Sequence, residues 1–264
     1  MRTVITFYAS KGGVSKSRHS LLVANALGMC EKKVLVLDMD PGNSSITRYY
    51  VEEDVSRINS HNIFKAMSDP ANNLKDFAIP TNHKNVDIIA SSKYLSDLST
   101  VSDRRLNTMI QKLESYDIVI IDSQPLYCGL VLNAINASDY IITPVLRDSD
   151  SLESAYYLAD KLQTETDKYN NWFININGYN RQYADAKGGK QKDLLDSYEE
   201  FKDHLTPREC WFPWTSDMND IKDRRLNLSN VKIPGAVCNP NLHSAVLALA
   251  GCFVDETLNN PEVF

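Results

Sequence analysis

A short segment near the N-terminus combines two glycines, two lysines and three serines, residue types that suit the binding of a phosphate group. Residues 10–17 read SKGGVSKS and lie between an apolar run, 3–8, and an apolar helical pattern, 21–27. Backbone N–H groups of a glycine-containing turn at a helix N-terminus point towards an anion, a lysine adds positive charge, and a hydroxyl can ligate Mg²⁺. We therefore expect Lys16 to hold the β- and γ-phosphates of a nucleotide and Ser17 to ligate magnesium.

Carboxylates stand at the ends of two later apolar runs. The run 33–40 ends in Asp38 and Asp40, and the run 116–122 ends in Asp122. Near-continuous apolarity is typical of parallel strands that are buried on both faces. Because ligands of open α/β sheets collect at the carboxyl ends of the strands, we expect these acids to lie beside the phosphate-binding segment.

The order of the patterns predicts an α/β fold. Apolar β-branched runs alternate with helical patterns along the chain, which favours a twisted, mostly parallel sheet flanked by helices. A single domain over residues 1–264 is expected, since this length buries a sizeable core. Further strands are predicted at 86–91, 137–145 and 172–179, and further helices at 62–67, 103–113, 129–135, 148–162 and 241–258. Residues 47–85 are polar and predicted to be largely irregular, apart from the short helix.

Composition limits the class of protein. The 264 residues include 28 basic and 34 acidic side chains, for a net charge of -6, which argues against nucleic-acid binding by bulk charge. Five cysteines without a C-x-x-C pair favour a reducing compartment with buried thiols over disulfides or zinc. The chain enters a strand directly and has no apolar run of membrane-spanning length, so we expect a cytoplasmic protein without a signal peptide.

The phosphate-binding segment departs from the standard P-loop, because Ser10 and Ser15 stand where that loop has glycines. Residues 11–17 instead resemble the deviant Walker A box, Lys-Gly-Gly-x-x-Lys-Ser/Thr, of the ParA/MinD family of partitioning and positioning ATPases. Residues 38–42 resemble that family's Asp-x-Asp-Pro-Gln box, with glycine in place of the glutamine. Residues 116–122 resemble Walker B, and residues 129–135 resemble the family's Gly-Leu-Leu-Thr-Leu-Asn-Ala helix. The resemblance covers most of the chain and implies a P-loop NTPase fold.

The resemblance implies ATP and Mg²⁺ as cofactors and gives roles to particular residues. Lys11, the signature lysine, would reach the nucleotide of a partner subunit, so that two chains sandwich two ATP molecules. The implied catalytic residues are Lys11, Lys16 and Asp40. Asp40 would help to place the attacking water. The implied metal site comprises Ser17, Asp38 and Asp122. The implied nucleotide-binding residues are Lys11, Gly12, Gly13, Val14, Ser15, Lys16 and Ser17, with Asn177 and Pro213 bordering the base.

The family's function implies an ATPase that acts in plasmid or chromosome partition, with a ParB-like adapter that stimulates hydrolysis. Nonspecific DNA binding is implied less directly, since Trp214 and Asp217 stand where DNA-binding relatives have arginines. Candidate DNA-binding residues are Arg181, Lys187, Lys190, Lys192, Arg224 and Arg225. Residues 181–232 carry ten basic and ten acidic side chains, so a solvated surface explains the clusters equally well. DNA binding would place the protein at the nucleoid.

Three alternatives remain open at this stage. Ser15 replaces a glycine whose backbone conformation a Cβ disfavours, so the protein could be a nucleotide-gated scaffold that hydrolyses ATP slowly or not at all. It could also position a protein cargo rather than DNA. The acidic C-terminal stretch lacks the basic membrane helix of MinD relatives, which excludes a membrane partner. Finally, Asp148, Asp150 and Glu153 suit either a metal ion or, preferably, the capping of a helix.

Overall fold

The computed structural model describes residues 2–42, 45–51, 55–98, 101–179, 196–213 and 240–254. The strands are β1 Thr3–Phe7, β2 Val34–Met39, β3 Ile79–Pro80, β4 Val86–Ile89, β5 Ile118–Ser123, β6 Tyr140–Val145, β7 Trp172–Tyr179 and β8 Phe212–Pro213. The helices are α1 Lys16–Met29, α2 Ser45–Tyr50, α3 Val55–Ser60, α4 Ile63–Ser68, α5 Arg105–Gln111, α6 Gly129–Ala137, α7 Ser149–Glu165 and α8 Pro240–Gly251. Short 3₁₀ turns connect several of these elements.

One sheet of eight strands runs through the described part of the chain in the order β3-β4-β2-β5-β1-β6-β7-β8. Only the short β3 pairs antiparallel, and the other neighbouring strands are parallel. The register sets Asp122 of β5 level with Phe7 of β1 and with Asp38 of β2. Since β1 lies between β5 and β6, the chain switches direction across the sheet at β1, where such folds bind their ligands.

Helices cover both faces of the sheet because successive strand residues point to opposite sides. On one face, Ile5 and Val36 pack with the apolar residues of α1, α2 and α8. On the other face, Val4 and Leu37 pack with α4, α5 and α6, and α7 joins the same layer further along. The predicted α/β architecture, a mostly parallel sheet flanked by helices, is therefore confirmed.

The predicted elements are present, with three corrections. The last helix, predicted over 241–258, ends at Gly251. In the stretch 47–85, α4 confirms the short helix predicted at 62–67, but the remainder is not largely irregular, since it also contains α3, β3 and most of α2. The sequence signal was weak because these elements are short, and α2 is stabilised by burial of Ile46 and Tyr50 against the core rather than by its own periodicity. The prediction of buried thiols is correct among the described cysteines for Cys210 alone, since Cys30 and Cys128 are half-buried and Cys252 is exposed.

The model does not contain, among its described residues, a helix that is both long enough and apolar enough to span a bilayer.

Candidate functional site

The phosphate-binding segment is a turn that enters α1 through two left-handed residues. Gly13 has a φ of 81° and Ser15 has a φ of 73°. A Cβ at Gly13 would meet no atom within 4 Å, so its glycine serves the backbone conformation rather than close packing. Ser15, the N-cap residue of α1, adopts the conformation predicted for this position despite its Cβ. That conformation costs an L-residue other than glycine about 1–2 kcal/mol.

His19 holds the carbonyl group of the strained residue. The Ser15 carbonyl accepts the backbone N–H of His19 at 3.0 Å and faces its Nδ1 at 2.9 Å. The ring is fully buried, stacks on Phe212 with centroids 3.9 Å apart, and places Nε2 3.2 Å from Asn175 Oδ1. The Asn175 amide nitrogen donates to the Cys210 carbonyl at 2.7 Å, which fixes the orientation of the side chain. A continuous set of contacts therefore joins the phosphate-binding turn to the segment before β8.

Lys16, at the start of α1, interacts electrostatically with Asp122, at the end of β5. Lys16 is 8% exposed, and Asp122 is fully buried at the end of β5. Asp122 Oδ1 accepts a hydrogen bond from the Ser20 hydroxyl at 3.0 Å. Burial raises the pKa of Asp122 to about 6, and the Lys16 charge and the hydroxyls of Ser17 and Ser20 oppose that rise. The carboxylate is thus placed where added positive charge would favour its ionised form.

Asp38 organises the loop that follows β2. Its Oδ2 accepts hydrogen bonds from the backbone N–H and the hydroxyl of Thr47, at 2.9 and 2.7 Å, and its Oδ1 accepts the N–H of Asp40 at 3.2 Å. The Thr47 hydroxyl in turn accepts the N–H of Ser91. Burial and the neighbouring charge of Asp122 raise the pKa of Asp38 to about 7.

Asp40 is held at the mouth of the site. Its Oδ1 accepts the N–H of Gly42 at 3.0 Å, and its backbone carbonyl accepts the Ser91 hydroxyl at 2.9 Å. The side chain is 8% exposed. The backbone of Asp40 is therefore fixed to the end of β4 while its carboxylate lies at the same edge of the sheet as Lys16.

The donors present fit a magnesium ion that is completed by nucleotide oxygens. Asp122 Oδ2 is buried without a hydrogen-bond partner, so this oxygen would be available to a magnesium ion or to one of its waters. No group of three His, Cys, Asp or Glu side chains among the described residues forms a self-sufficient metal site. This suits Mg²⁺, which is usually bound by one or two protein ligands together with phosphates and waters.

The signature lysine is paired within its own chain. Lys11 Nζ lies 2.6 Å from Asp148 Oδ1 and 3.5 Å from Asp150 Oδ2, at the start of α7. Although burial acts to lower it, the hydrogen bond and charge of Asp148 raise the pKa of Lys11. Asp148 also caps α7 by accepting the N–H of Ser151, which confirms capping as a role for this acid. The lysine side chain is 23% exposed, so it remains at the rim of the site.

Asn177 and Pro213, the candidates for contact with the nucleotide base, lie at the same edge of the sheet. The Asn177 amide donates to the Val14 carbonyl at 3.2 Å, which joins β7 to the phosphate-binding turn. Asn177 pairs with Phe212 in the sheet, and Pro213 pairs with Tyr179. Asn177 and Pro213 therefore lie near the carboxyl ends of adjacent strands, and Asn177 contacts the turn.

Comparisons with known proteins agree with this geometry. Residues 2–175 match the family model described as "AAA domain". Sporulation initiation inhibitor protein Soj of Bacillus subtilis is 27% identical over 209 residues, which cover 76% of this chain and 80% of Soj. The chain belongs to the AAA domain family, in its ParA/MinD branch.

Solved structures extend the likeness across nearly the whole chain. The crystal structure of a plasmid partition protein of Borrelia burgdorferi bound to AMPPNP has a TM-score of 0.74 at 23% identity, and the match covers 94% of this chain and 97% of that one. Two uncharacterized proteins of Mycobacterium tuberculosis are 28% identical over 179 residues, covering 63% of this chain but 54% of theirs. The ParA/MinD-type chain thus spans about half the length of those relatives.

The structure brings together the predicted residues that it describes. The nucleotide-binding candidates of residues 11–17 form one turn beside Asp38, Asp40 and Asp122. Sequence reasoning missed His19, Ser20, Thr47, Ser91 and Asn175, whose contacts hold that turn and the acids in place. A polar residue within an otherwise apolar stretch, as at Asn175 in β7, is the signal that could have found some of them. The six candidate DNA-binding residues lie outside the described residues.

We expect His19 to make stability acid-sensitive. Burial lowers the pKa of His19 to about 4. The neutral ring has one N–H, so it can donate a hydrogen bond either to the Ser15 carbonyl or to Asn175 Oδ1. As the pH falls below about 6.5, His19 binds a proton in the unfolded chain, whereas in the folded chain it does so only near pH 4. The free energy of unfolding therefore falls as the pH is lowered between these values. A His19→Gln variant does not have this pH dependence. The difference in free energy of unfolding between wild type and variant should therefore be smaller at pH 4.5 than at pH 7, by roughly 2 kcal/mol.

Urea unfolding of both proteins at the two pH values measures this effect. His61→Gln, which alters a partly exposed ring, is the matched control and should show no such narrowing. An equal deficit for His19→Gln at both pH values would contradict the assignment.

Proposed function

We propose that this protein binds ATP with Mg²⁺ and transfers the γ-phosphoryl group to water. The observation that carries the proposal is the convergence of Lys16, Ser17 and the partly unsatisfied Asp122 at the carboxyl ends of β1 and β5. A buried lysine beside a buried carboxylate, under a turn that opens a helix, is the arrangement that phosphoryl transfer requires. Soj and the Borrelia partition protein, the latter with AMPPNP, support it as relatives.

Each residue has a role in that reaction. Lys16 neutralises charge on the β- and γ-phosphates, and the turn at 11–17 offers backbone N–H groups to the phosphate oxygens. Ser17 would ligate magnesium, and Asp122 would hold one of its waters through the free Oδ2, while Asp38 fixes the loop beside them. When bound, the ion would offset charge that develops on the phosphate oxygens. Asp40 orients the attacking water, and Asn177 and Pro213 border the base.

Two chains would close on the nucleotide face to face. Lys11 lies on the rim, and Leu126, in the loop that follows β5, is 70% exposed. The Tyr8 hydroxyl donates to the Pro125 carbonyl at 3.2 Å, which places this loop beside the end of β1 and next to the phosphate-binding turn. An exposed leucine beside a rim lysine suits an interface that also presents a cation to a second nucleotide. Lys11 must leave Asp148 to make that contact.

We further propose that the dimer serves plasmid or chromosome partition. A ParB-like adapter would stimulate hydrolysis, which returns Lys11 to Asp148 and dissolves the dimer. Nonspecific DNA binding through the lysine and arginine clusters of residues 181–225 belongs to the same proposal, and such contacts would be strongly salt-dependent. This assignment is supported by the names of two proteins to which the chain is similar, the "Chromosome partitioning protein ParA" of Caulobacter vibrioides and the Borrelia plasmid partition protein.

Mass measurement by light scattering tests the dimer. Wild-type protein is expected to dimerise with AMPPNP and Mg²⁺ but not with ADP. Lys11→Ala should weaken the AMPPNP dimer roughly 100-fold or more, because two charge-assisted phosphate contacts, one from each subunit, are lost. Lys65→Ala, at an exposed lysine of α4, is the charge-matched control. A monomer under all conditions would refute the sandwich, as would an unchanged dimer in the Lys11 variant.

A second candidate function rests on Ser15. Ser15 has a Cβ and a left-handed backbone, in a turn that must fit closely around phosphate. If this strain slows hydrolysis, the protein would act as a nucleotide-gated scaffold with slow turnover. If strain limits the reaction, Ser15→Gly should raise the ATPase rate about tenfold, since about 1–2 kcal/mol is relieved. Ser15→Ala, which keeps the Cβ and removes the hydroxyl, separates backbone strain from crowding by oxygen. An unchanged rate in Ser15→Gly would contradict the scaffold.

A further inference from the structure

Two thiols meet where α8 packs against the segment that leads into β8. Cys210 ends the 3₁₀ turn Arg208–Cys210, and Cys252 follows directly after the last helical residue of α8. Their sulfur atoms lie 3.4 Å apart, although the residues are 42 positions apart in the chain. At this distance one thiol can donate a hydrogen bond to the other, and neither sulfur is in a disulfide.

The two thiols differ in access. Cys210 is fully buried, whereas Cys252 is exposed to solvent. The Cys210 carbonyl is held by the Asn175 amide at 2.7 Å, and its side chain belongs to the core layer that contains α1 and α8. Cys252 lies in the final turn, where its N–H still donates to the Ala248 carbonyl at 3.1 Å. Closing the sulfurs to a disulfide bond length of about 2.05 Å is therefore accommodated mainly by movement of Cys252.

We propose that Cys210 and Cys252 are a redox modification site, where a peroxide converts the thiol pair into a disulfide that ties α8 to the turn before β8. The exposed Cys252 thiolate attacks one oxygen of hydrogen peroxide, the O–O bond breaks, and the departing hydroxide takes up a proton to leave as water. Cys252 then carries a sulfenic acid. Cys210 Sγ attacks Cys252 Sγ, its proton passes to the departing oxygen, and a second water leaves. Two thiols and one peroxide thus give one disulfide and two waters.

The local chemistry assigns the order of these steps. The hydrogen bond from the Cys210 thiol lowers the pKa of Cys252, although burial and Glu209 oppose this, and the same contact together with burial raises the pKa of Cys210. The exposed thiol is therefore the one that ionises and meets a soluble oxidant, and the buried thiol resolves the sulfenic acid. Redox-sensing cysteines share this combination of accessible thiolate and adjacent resolving thiol.

Oxidation is expected to stabilise the fold. The disulfide closes a long loop and so restricts the unfolded chain, while its two ends already touch in the folded protein. It also fastens α8 to the segment that leads into the terminal strand of the sheet. The Tm of peroxide-treated protein should therefore rise by several degrees, and treatment with a dithiol should reverse the rise.

Peptide mapping after treatment with hydrogen peroxide tests the site without any nucleotide. The expected product is a linked peptide that joins Cys210 to Cys252, a loss of two hydrogen atoms in intact mass, and recovery of both by dithiothreitol. Cys252→Ser, at the exposed position, should abolish the link and the rise in Tm, and Cys210→Ser should leave a sulfenic acid on Cys252. Cys30→Ser and Cys128→Ser are matched controls that should retain the link.

Three results would overturn the proposal. The first is recovery of both thiols unmodified under conditions that oxidise Cys30 or Cys128. The second is a link from Cys252 to Cys238 or to another molecule in place of Cys210. The third is a mapped Cys210–Cys252 disulfide in a protein whose Tm does not rise above that of the reduced form.

Discussion

Replacement of Lys16 by alanine is expected to abolish ATP binding. Lys16 is buried at the opening of α1, and its positive charge lowers the pKa of Asp122. Its loss removes charge-assisted contacts to phosphate and leaves Asp122 without its compensating charge. Contacts to charged groups contribute about 1.5–3 kcal/mol each, so affinity should fall by roughly 100-fold or more. Titration calorimetry with ATP and Mg²⁺ measures the change.

The control for this variant is Lys75→Ala, which removes the same charge from an exposed position. Circular dichroism checks that the Lys16 variant is folded, since the loss of Lys16 leaves the buried Asp122 carboxylate without a compensating charge, which destabilises the fold. ATP affinity within about threefold of wild type in a folded Lys16→Ala protein would refute the nucleotide site, because a difference that small is below one charged hydrogen bond.

Replacement of Asp40 by alanine is expected to stop hydrolysis while ATP still binds. We assign this carboxylate the placement of the attacking water, and general-base or water-positioning groups typically contribute about 10²–10⁴-fold to rate. His19 holds the Ser15 carbonyl of the phosphate-binding turn, and the Ser20 hydroxyl donates to Asp122, so these contacts remain in the variant. Turnover should therefore fall by about 10²–10⁴-fold with little change in affinity, and an ATP-bound dimer should accumulate.

Asp40→Asn is the matched control for structural damage. An asparagine oxygen can still accept the Gly42 N–H, which the carboxylate binds at 3.0 Å, so the loop keeps its anchor while the charge is lost. Both variants should lose turnover alike. Full activity in Asp40→Asn with loss in Asp40→Ala would show that the residue holds the loop rather than the water, and absence of an ATP-dependent dimer in either would contradict the sandwich.

The sequence by itself determined the parts of the site whose signals are local. The apolar runs that end in Asp38 and Asp122 predicted buried parallel strands with carboxylates at one edge, and the model places these two residues level in adjacent strands. The position of Lys16 and Ser17 between a strand and a helix predicted their place at the start of α1. Ser15 was predicted to need a conformation that a Cβ disfavours, and its φ of 73° confirms this.

Only the tertiary structure decided which distant residues hold those parts in place. Lys11 meets Asp148 across 137 positions, and His19 meets Asn175 across 156 positions. Thr47, in a helix that the sequence did not predict, supplies two of the three hydrogen bonds that Asp38 accepts. The Cys210 and Cys252 thiols likewise meet only because α8 packs against the segment before β8. Periodicity and motif spacing report on neighbours along the chain, whereas these pairs depend on strand order and helix packing, which bring distant residues together.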